Sequence, residues 1–206
     1  MGDPVVSTMQ DAQLTIGSLL RHGQTVYADS VVRTFDGDRV REATYAEVGE
    51  RAARLAGALA GLGVQQGDRV GTFLWNTQEH LEAYFAVPSM GAVLHTLNLR
   101  LFPEQLAYVI DHGQDRVVIV DATVLPLLVK VADQIPTVEH YVLVGEGDTS
   151  GLGDVPVHRY EDLLAAAPAT YDWPELDERS PTSAYVASRT PPPPLPPSNV
   201  RTTLSA

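Results

Sequence analysis

The sequence predicts an α/β domain in which a mainly parallel β-sheet is covered by helices. With 206 residues, 44% of them hydrophobic, the chain is long enough to enclose a sizeable core. Short apolar runs begin about 23 residues apart, and a segment with helical periodicity separates each run from the next. That alternation is typical of right-handed βαβ units, whose sheets are buried on both faces.

The alternation starts with a helix over residues 44–62. Its apolar residues recur at helical spacing, and Thr44 and Glu47 stand three residues apart, as in a capping box. Glycines at positions 61 and 63 can end this helix. The apolar run over residues 69–75 then predicts the first buried strand.

The same pattern repeats along the chain. Asn76 and Glu79 have capping-box spacing at the start of a second helix, which runs towards Pro88. Pro103 fits the first turn of a third helix, which ends near Gly113. The remaining elements that we expect are strands over 92–96, 116–120 and 139–144 and helices over 123–135 and 160–167.

The composition changes sharply near residue 180. The last of 16 glycines is Gly153, and seven of the 15 prolines fall between Pro181 and Pro197. We therefore predict a folded domain over 1–180, with an acidic, irregular stretch at its end. A disordered, proline-rich tail over 181–206 follows, because such a segment cannot bury enough apolar surface to fold.

The composition also excludes several classes of function. A formal net charge of −12, without a basic patch, argues against a nucleic-acid partner. The absence of cysteine excludes disulfides, zinc thiolates and thiol nucleophiles. No secretory signal is visible, Val6 breaks the myristoylation pattern, and no apolar run approaches the roughly 18 residues of a membrane helix. These features predict a cytoplasmic protein without a transmembrane segment.

No standard catalytic motif follows the predicted strands, although the carboxyl ends of parallel strands are where such sheets bind ligands. The patterns GxGxxG, GxxxxGK[ST] and GxSxG are all absent. The six histidines form no HxxxH or HxH pair, and no metal site is predicted. The residues alone thus indicate an α/β domain without a recognisable catalytic set.

Single residues at strand and helix ends carry weaker signals. His95 lies at a strand end, where we expect a partly buried ring bonded to the backbone. We expect His80 to have a solvated or packing role and Trp75 to belong to the core. His112, flanked by aspartates at 111 and 115, fits a local structural role at a helix C-terminus.

Three stretches of the sequence resemble a known family. They resemble the N-terminal part of fatty-acyl-CoA synthetases, in the adenylate-forming (AMP-binding) superfamily, and specifically the medium- and long-chain branch. The resemblance covers about residues 9–180 and implies that the domain over 1–180 is a partial, N-terminal AMP-binding domain. The stretches are TYAEVGERAARLAGALAGLGVQQGDRVG, WNTQEHLEAYFAVPSMGAVLHTLNLRLFPEQLAYVIDHGQDRVVIVD and VLPLLVKVADQIPTVEHYVLV.

The resemblance implies a two-step reaction for complete members. A carboxylate is activated with Mg-ATP to an acyl-adenylate, and CoA then displaces AMP. In the family, a loop like YTSGTTGxPKG holds the triphosphate, whereas this chain, aligned on Tyr185, has YVASRTPPPP. The glycines and the lysine are missing and proline lacks an N–H donor, so we expect no ATP, Mg or CoA site to be retained. Lys130 corresponds to neither catalytic lysine of the family.

These features lead to a hypothesis and an alternative. The hypothesis is a fatty-acyl-CoA synthetase that is truncated or frameshifted before its phosphate loop and is inactive alone. The alternative is a non-catalytic α/β module that dimerises or binds a partner, for which the run PPPPLPP offers a docking segment. The resemblance also implies fatty acid and CoA as substrates, a homodimer through N-terminal residues, and a location that is cytoplasmic or peripheral to a membrane.

The family resemblance assigns functional residues to only one segment of this chain. The stretch HTLNLR matches a family loop on the acyl and CoA side of the large domain, which makes His95, Asn98 and Arg100 the substrate-proximal candidates. Leu99 stands where family members often have proline. Structural roles remain open as well: Asn98 in a turn, and Arg100 paired with Glu104. No catalytic or metal-binding residue is assigned.

Overall fold

A six-stranded parallel sheet forms the centre of the fold. The computed structural model describes residues 13–184, and the predicted α/β class with helices on both faces of a parallel sheet is confirmed. The helices are α1 (Ile16–Val26), α2 (Tyr45–Gly61), α3 (Gln78–Ser89), α4 (Pro103–Gly113), α5 (Leu125–Val129) and α6 (Tyr160–Ala166). The strands are β1 (Val31–Phe35), β2 (Val40–Thr44), β3 (Arg69–Phe73), β4 (Val93–Thr96), β5 (Asp115–Asp121), β6 (His140–Val144), β7 (Val157–Arg159) and β8 (Ser183–Ala184).

The order of strands across the sheet is β7-β6-β5-β3-β4-β8, and every neighbouring pair is parallel. Strands β1 and β2 form a separate antiparallel hairpin. Side chains of β5 alternate between two cores, as expected for a strand buried on both faces. Val117 and Ile119 face α2, α3 and α6, whereas Val118 and Val120 face α4 and α5.

A buried carboxylate joins the three helices on the first face. Glu82 of α3 has no exposed surface and accepts hydrogen bonds from Arg51 Nε of α2 (2.6 Å), Tyr160 Oη of α6 (2.6 Å) and Gln78 Nε2 (2.8 Å). Arg51 also forms a bidentate pair with Glu161. Each buried polar atom of Glu82 is thereby satisfied, which is the condition for burying a charge at tolerable cost.

The capping box predicted for Asn76 and Glu79 is wrong, because the N-cap residue is Thr77 and the Glu79 carboxylate has another partner. Helix α3 begins at Gln78, whose backbone N–H donates to Thr34 Oγ1 of β1 (3.0 Å). The Glu79 carboxylate turns instead to Arg41 of β2, with two hydrogen bonds of 2.9 and 3.1 Å. The hairpin therefore caps and anchors α3. By contrast, the capping box between Thr44 and Glu47 is confirmed.

Two further expectations are corrected by the structure. The helix expected over 123–135 is only α5, followed by a 3₁₀ turn over Ala132–Gln134, because a turn closed by Asp121 and Thr123 delays its start. Residues 183–184, expected to be disordered, form β8, and Leu94 N donates to Thr182 O (3.1 Å) beside it. The proline run and the rest of the predicted tail lie outside the described residues.

Substitution of Glu79 tests the anchor on the hairpin through its pH dependence. Burial would raise the pKa of Glu79, but the hydrogen bonds and charge of Arg41 prevail and hold it below the ordinary value of 4.5. The stability gained from Glu79 is therefore fully present above pH 4.5 and is lost as pH falls through the lower folded pKa. We expect the difference in unfolding free energy between wild type and Glu79→Gln to shrink below pH 4.5.

Urea unfolding from pH 7 to pH 3.5 measures this difference. Glu42→Gln, which removes the exposed partner of Arg33, is the matched control and should change stability little at any pH. A difference between wild type and Glu79→Gln that stays constant over the whole range would contradict the assignment.

Candidate functional site

At the carboxyl edge of the sheet, the connections that follow the strands change from one face to the other next to β3. The helix after β3 lies on the first face, whereas the helices after β4 and β5 lie on the second. Loops that leave adjacent strands towards opposite faces open a crevice, which is the usual ligand position in such sheets. The segments after β3, β4 and β5 therefore frame the candidate site.

The segments after β3 and β5 meet through Trp75. Its indole Nε1 donates to Thr123 Oγ1 (2.8 Å), and Asp121 Oδ1 accepts from the backbone N–H of Thr123 (2.8 Å). Trp75 is 51% exposed, so the prediction that it belongs to the core is wrong. The strand ends before Trp75, at Phe73, and this leaves the ring at the sheet edge. The sequence signal that could have found this contact is the Asp-x-Thr pattern at the end of β5.

The other side of β3 is held by His80. Its Nε2 lies 3.1 Å from Thr72 Oγ1 and its Nδ1 lies 3.1 Å from the carbonyl oxygen of Trp75. Burial lowers the pKa of His80, and its hydrogen bond to Trp75 opposes this only in part. Tyr84 stacks obliquely on this ring, and its hydroxyl lies 3.2 Å from Thr96 Oγ1 at the end of β4. His80 is thus a buried packing residue, which is one of the two roles expected for it.

A cavity of about 270 Å³ opens between these residues and the hairpin. Its wall includes Asn76, His80 and Tyr84, with Val32 and Arg33 of β1 on the opposite side. Both nitrogens of His80 are already engaged, so the cavity offers shape and hydrogen bonds rather than a free general base.

The turn after β4 carries two of the predicted site residues. Asn98 and Arg100 are both exposed, and Asn98 Oδ1 accepts from the backbone N–H of Arg100 (2.9 Å). The expected turn role of Asn98 is therefore present. The expected pair between Arg100 and Glu104 is not, and no carboxylate within residues 13–184 lies within 4.0 Å of the Arg100 guanidinium. This charge at the edge is consequently available to a ligand.

The third predicted residue, His95, lies away from that edge. Its ring is fully buried, and Nδ1 lies 2.8 and 2.9 Å from the two carboxylate oxygens of Asp115, the first residue of β5. The expectation of a partly buried ring bonded to the backbone is wrong, because the partner is a side chain. Burial raises the pKa of Asp115, and the bond to His95 opposes that rise. His95 Nε2 has no partner among the described residues.

Close approach at two glycines makes room for this pair. A Cβ at Gly113 would lie 2.8 Å from His95 Cε1, and one at Gly71 would lie 2.9 Å from Asp115 Oδ2. Arg69 Nε also donates to the carbonyl oxygen of Gly113 (2.7 Å). The pair therefore joins β4, β5 and the end of α4, and Asp115 serves His95 rather than His112.

The carboxyl edge formed by the described residues contains no set that fits a triphosphate. Arg100 is an isolated cation at the edge, and Lys130 lies beyond α5. No group of three or more His, Asp or Glu side chains within 13–184 is arranged to hold an ion. The segment that aligns with the family's phosphate loop starts at Tyr185, outside the described part. No helix between residues 13 and 184 is long and apolar enough to cross a membrane.

Comparison with known proteins decides the family. The family model for AMP-binding enzymes matches residues 20–199. The chain belongs to the AMP-binding enzyme family. The resemblance to acyl-CoA synthetases is thereby confirmed, and the matched region is the N-terminal part of these AMP-binding enzymes.

Curated relatives of this AMP-binding chain are acyl-CoA ligases. A medium-chain fatty-acid–CoA ligase of Ectopseudomonas oleovorans is 37% identical over 90% of this chain and 34% of its own length. A long-chain fatty-acid–CoA ligase of Thermus thermophilus is 44% identical over 70% of this chain and 27% of its own length. The chain thus spans about a third of the length of the curated relatives that it matches.

Solved structures place the fold in the same family. The crystal structure of the anthranilate CoA ligase AuaEII, in complex with anthranoyl-AMP, superposes with a TM-score of 0.74 at 27% identity. The match covers 83% of this chain and 32% of that one. The parallel sheet and its flanking helices are therefore those of the N-terminal region of an AMP-binding enzyme.

A glycine substitution tests the buried pair beneath the site. Gly113→Ala brings a methyl group within 2.8 Å of the His95 ring, so we expect it to lower the unfolding free energy by about 1–3 kcal/mol. Gly61→Ala, at the last residue of α2 with no atom within 4 Å of the new methyl, should be neutral or stabilising by up to about 1 kcal/mol. Chemical denaturation compares the two, and equal effects would contradict the close packing at Gly113.

Proposed function

We propose that this chain supplies the N-terminal part of a cytoplasmic acyl-CoA ligase of the medium- and long-chain fatty-acid branch. The complete enzyme activates a fatty acid with ATP, in the presence of Mg²⁺, to an acyl-adenylate and pyrophosphate, and then transfers the acyl group to CoA. The observation that carries the proposal is the carboxyl edge itself. It presents Arg100, which has no carboxylate partner among residues 13–184, beside Asn98 in a chain whose relatives are acyl-CoA ligases.

Arg100 has the best-supported role in substrate binding. An exposed guanidinium without a carboxylate partner among residues 13–184 suits an anionic group, and both substrates carry one: the fatty-acid carboxylate and the phosphates of CoA. Asn98 fixes the turn that presents Arg100. His95 acts as a positioning residue, since its buried ring links β4 to Asp115 of β5 across Gly71 of β3 and does not reach the edge.

This chain is expected to be inactive alone. Adenylation needs several positive or hydrogen-bonding groups around the triphosphate, because the charge that develops there must be neutralised. Residues 13–184 supply one free cation at the edge, and the aligned phosphate-loop segment lacks the family's glycines and lysine. ATP and Mg²⁺ are therefore proposed for the complete enzyme and not for this chain.

A chimera separates the family function from the activity of this chain. Residues 13–184 replace the matching N-terminal segment of the Thermus thermophilus long-chain ligase, and fatty-acid-dependent ATP–pyrophosphate exchange is measured. We expect exchange by the chimera and none by the isolated 206-residue chain. A well-folded chimera without activity would sink the proposed function, and robust exchange by the isolated chain would overturn its expected inactivity.

Arg100→Ala in the same chimera tests the proposed contact. Loss of one charge-assisted hydrogen bond, about 1.5–3 kcal/mol, should lower kcat/KM roughly 10- to 100-fold without changing the melting temperature. Arg39→Ala, at an exposed arginine in the turn of the hairpin, is the matched control and should leave kcat/KM unchanged. Equal kinetics of the two variants would remove Arg100 from the site.

The alternative, a non-catalytic module that dimerises, has one observation in its favour. Apolar side chains are exposed on α1 and on the hairpin, and the cross-strand pair Phe35 and Val40 is 71% and 56% exposed. Adjacent exposed apolar groups are typical of protein interfaces. A concentration-dependent dimer in light scattering, together with an inactive chimera, would favour this alternative.

A further inference from the structure

Two histidines lie side by side on neighbouring strands at the edge of the sheet that is formed by β7. His140 is the first residue of β6 and His158 is the central residue of β7. Because β6 and β7 are parallel and Val142 pairs with His158, both imidazoles lie on the same face. His158 Nε2 lies 3.2 Å from His140 Nδ1, and both side chains are half-buried.

We propose that His140 and His158 form a two-imidazole binding site for a divalent transition-metal ion. Two nitrogens bound to one ion at about 2.0–2.1 Å stand about 2.9–3.4 Å apart, and the observed separation falls within this range. Imidazole is a suitable ligand for Cu²⁺, Zn²⁺ and Ni²⁺. By the Irving–Williams order, Cu²⁺ is expected to bind most tightly of the three. Water completes the coordination on the exposed side.

The site requires only a small rearrangement. In the structure, one of the two facing ring nitrogens donates a hydrogen bond to the other. When an ion binds, both nitrogens must instead be unprotonated, with their lone pairs directed at the ion. A rotation of the rings about χ2, which has a broad energy profile in histidine, and a shift of that hydrogen to the other ring nitrogen meet this need. No proton is released when both rings are neutral.

Other side chains are poorer candidates for metal binding. All six histidines of the sequence lie within residues 13–184, and the chain has no cysteine. The rings of His80 and His95 are buried with partners, and the exposed His22 and His112 each lie against a tyrosine ring. Glu139, next to His140, is engaged by Arg116, so it is not free to serve as a third ligand.

The ion would cross-link the edge of the sheet rather than take part in ligase chemistry. His140 lies at the amino end of β6, opposite the carboxyl edge that carries Asn98 and Arg100. Strand β7 has three residues and pairs only with β6 among the described strands. An ion held by both histidines binds the folded state and should raise the thermal unfolding midpoint of the chain.

Electron paramagnetic resonance of the metal-free 206-residue chain with one equivalent of Cu²⁺ tests the proposal. We expect a tetragonal spectrum with hyperfine splitting from two imidazole nitrogens. His140→Gln and His158→Gln should each lower Cu²⁺ affinity roughly tenfold or more and abolish the two-nitrogen pattern. His22→Gln and His112→Gln are the matched controls and should change neither.

The outcomes are separable even if a variant folds poorly. Circular dichroism without metal shows whether the glutamine variants are folded. The electron paramagnetic resonance spectrum of the wild type tests the proposal without any variant. A wild-type spectrum with one or no imidazole nitrogen overturns the proposal. Equal Cu²⁺ affinities of the wild type and a folded His140→Gln/His158→Gln double variant overturn it as well.

Discussion

The buried carboxylate of Glu82 is the interaction on which the rest of the fold depends. It joins α2, α3 and α6 through the hydrogen bonds that it accepts from Arg51 and Tyr160, which lie 31 and 78 residues away in the sequence. A charge without solvent contact needs all of its partners, because an unpaired buried carboxylate costs several kcal/mol. The position of the three helices over the sheet is therefore coupled to one side chain.

That coupling extends to the carboxyl edge. Helix α3 holds Glu82, and the same helix carries His80, which bonds to β3 and to the segment that presents Trp75. On the opposite face the His95–Asp115 pair joins β4 to β5. The turn with Asn98 and Arg100 begins directly after β4. The exposed groups of the edge are thus supported from both faces by buried polar pairs, and the apolar cores fill the space around them.

Periodicity, capping residues and the Pro103 signal were enough to predict the fold class and most helices and strands. They could not predict α1 or the hairpin, because neither has a strong alternation of its own, and the hairpin is ordered by its contacts with α3. The pairs of His95 with Asp115 and of Glu79 with Arg41 connect residues 20 and 38 positions apart, which local patterns do not show. For the candidate site, the family resemblance predicts the turn after β4, whereas the contact of Trp75 with Thr123 depends on where β3 ends, which the sequence did not show.

A double-mutant cycle on Arg51 and Glu82 tests most directly whether this ion pair holds the three helices together. Arg51→Met leaves the buried Glu82 carboxylate without its ion pair, and we expect it to lower the unfolding free energy by about 3–5 kcal/mol. Glu82→Leu leaves the partly exposed Arg51 paired with Glu161, so we expect a smaller loss. The double variant replaces the pair by apolar side chains and should be at least as stable as either single variant. If the two losses simply add, the side chains act independently, and the buried carboxylate is not the constraint on which the fold depends.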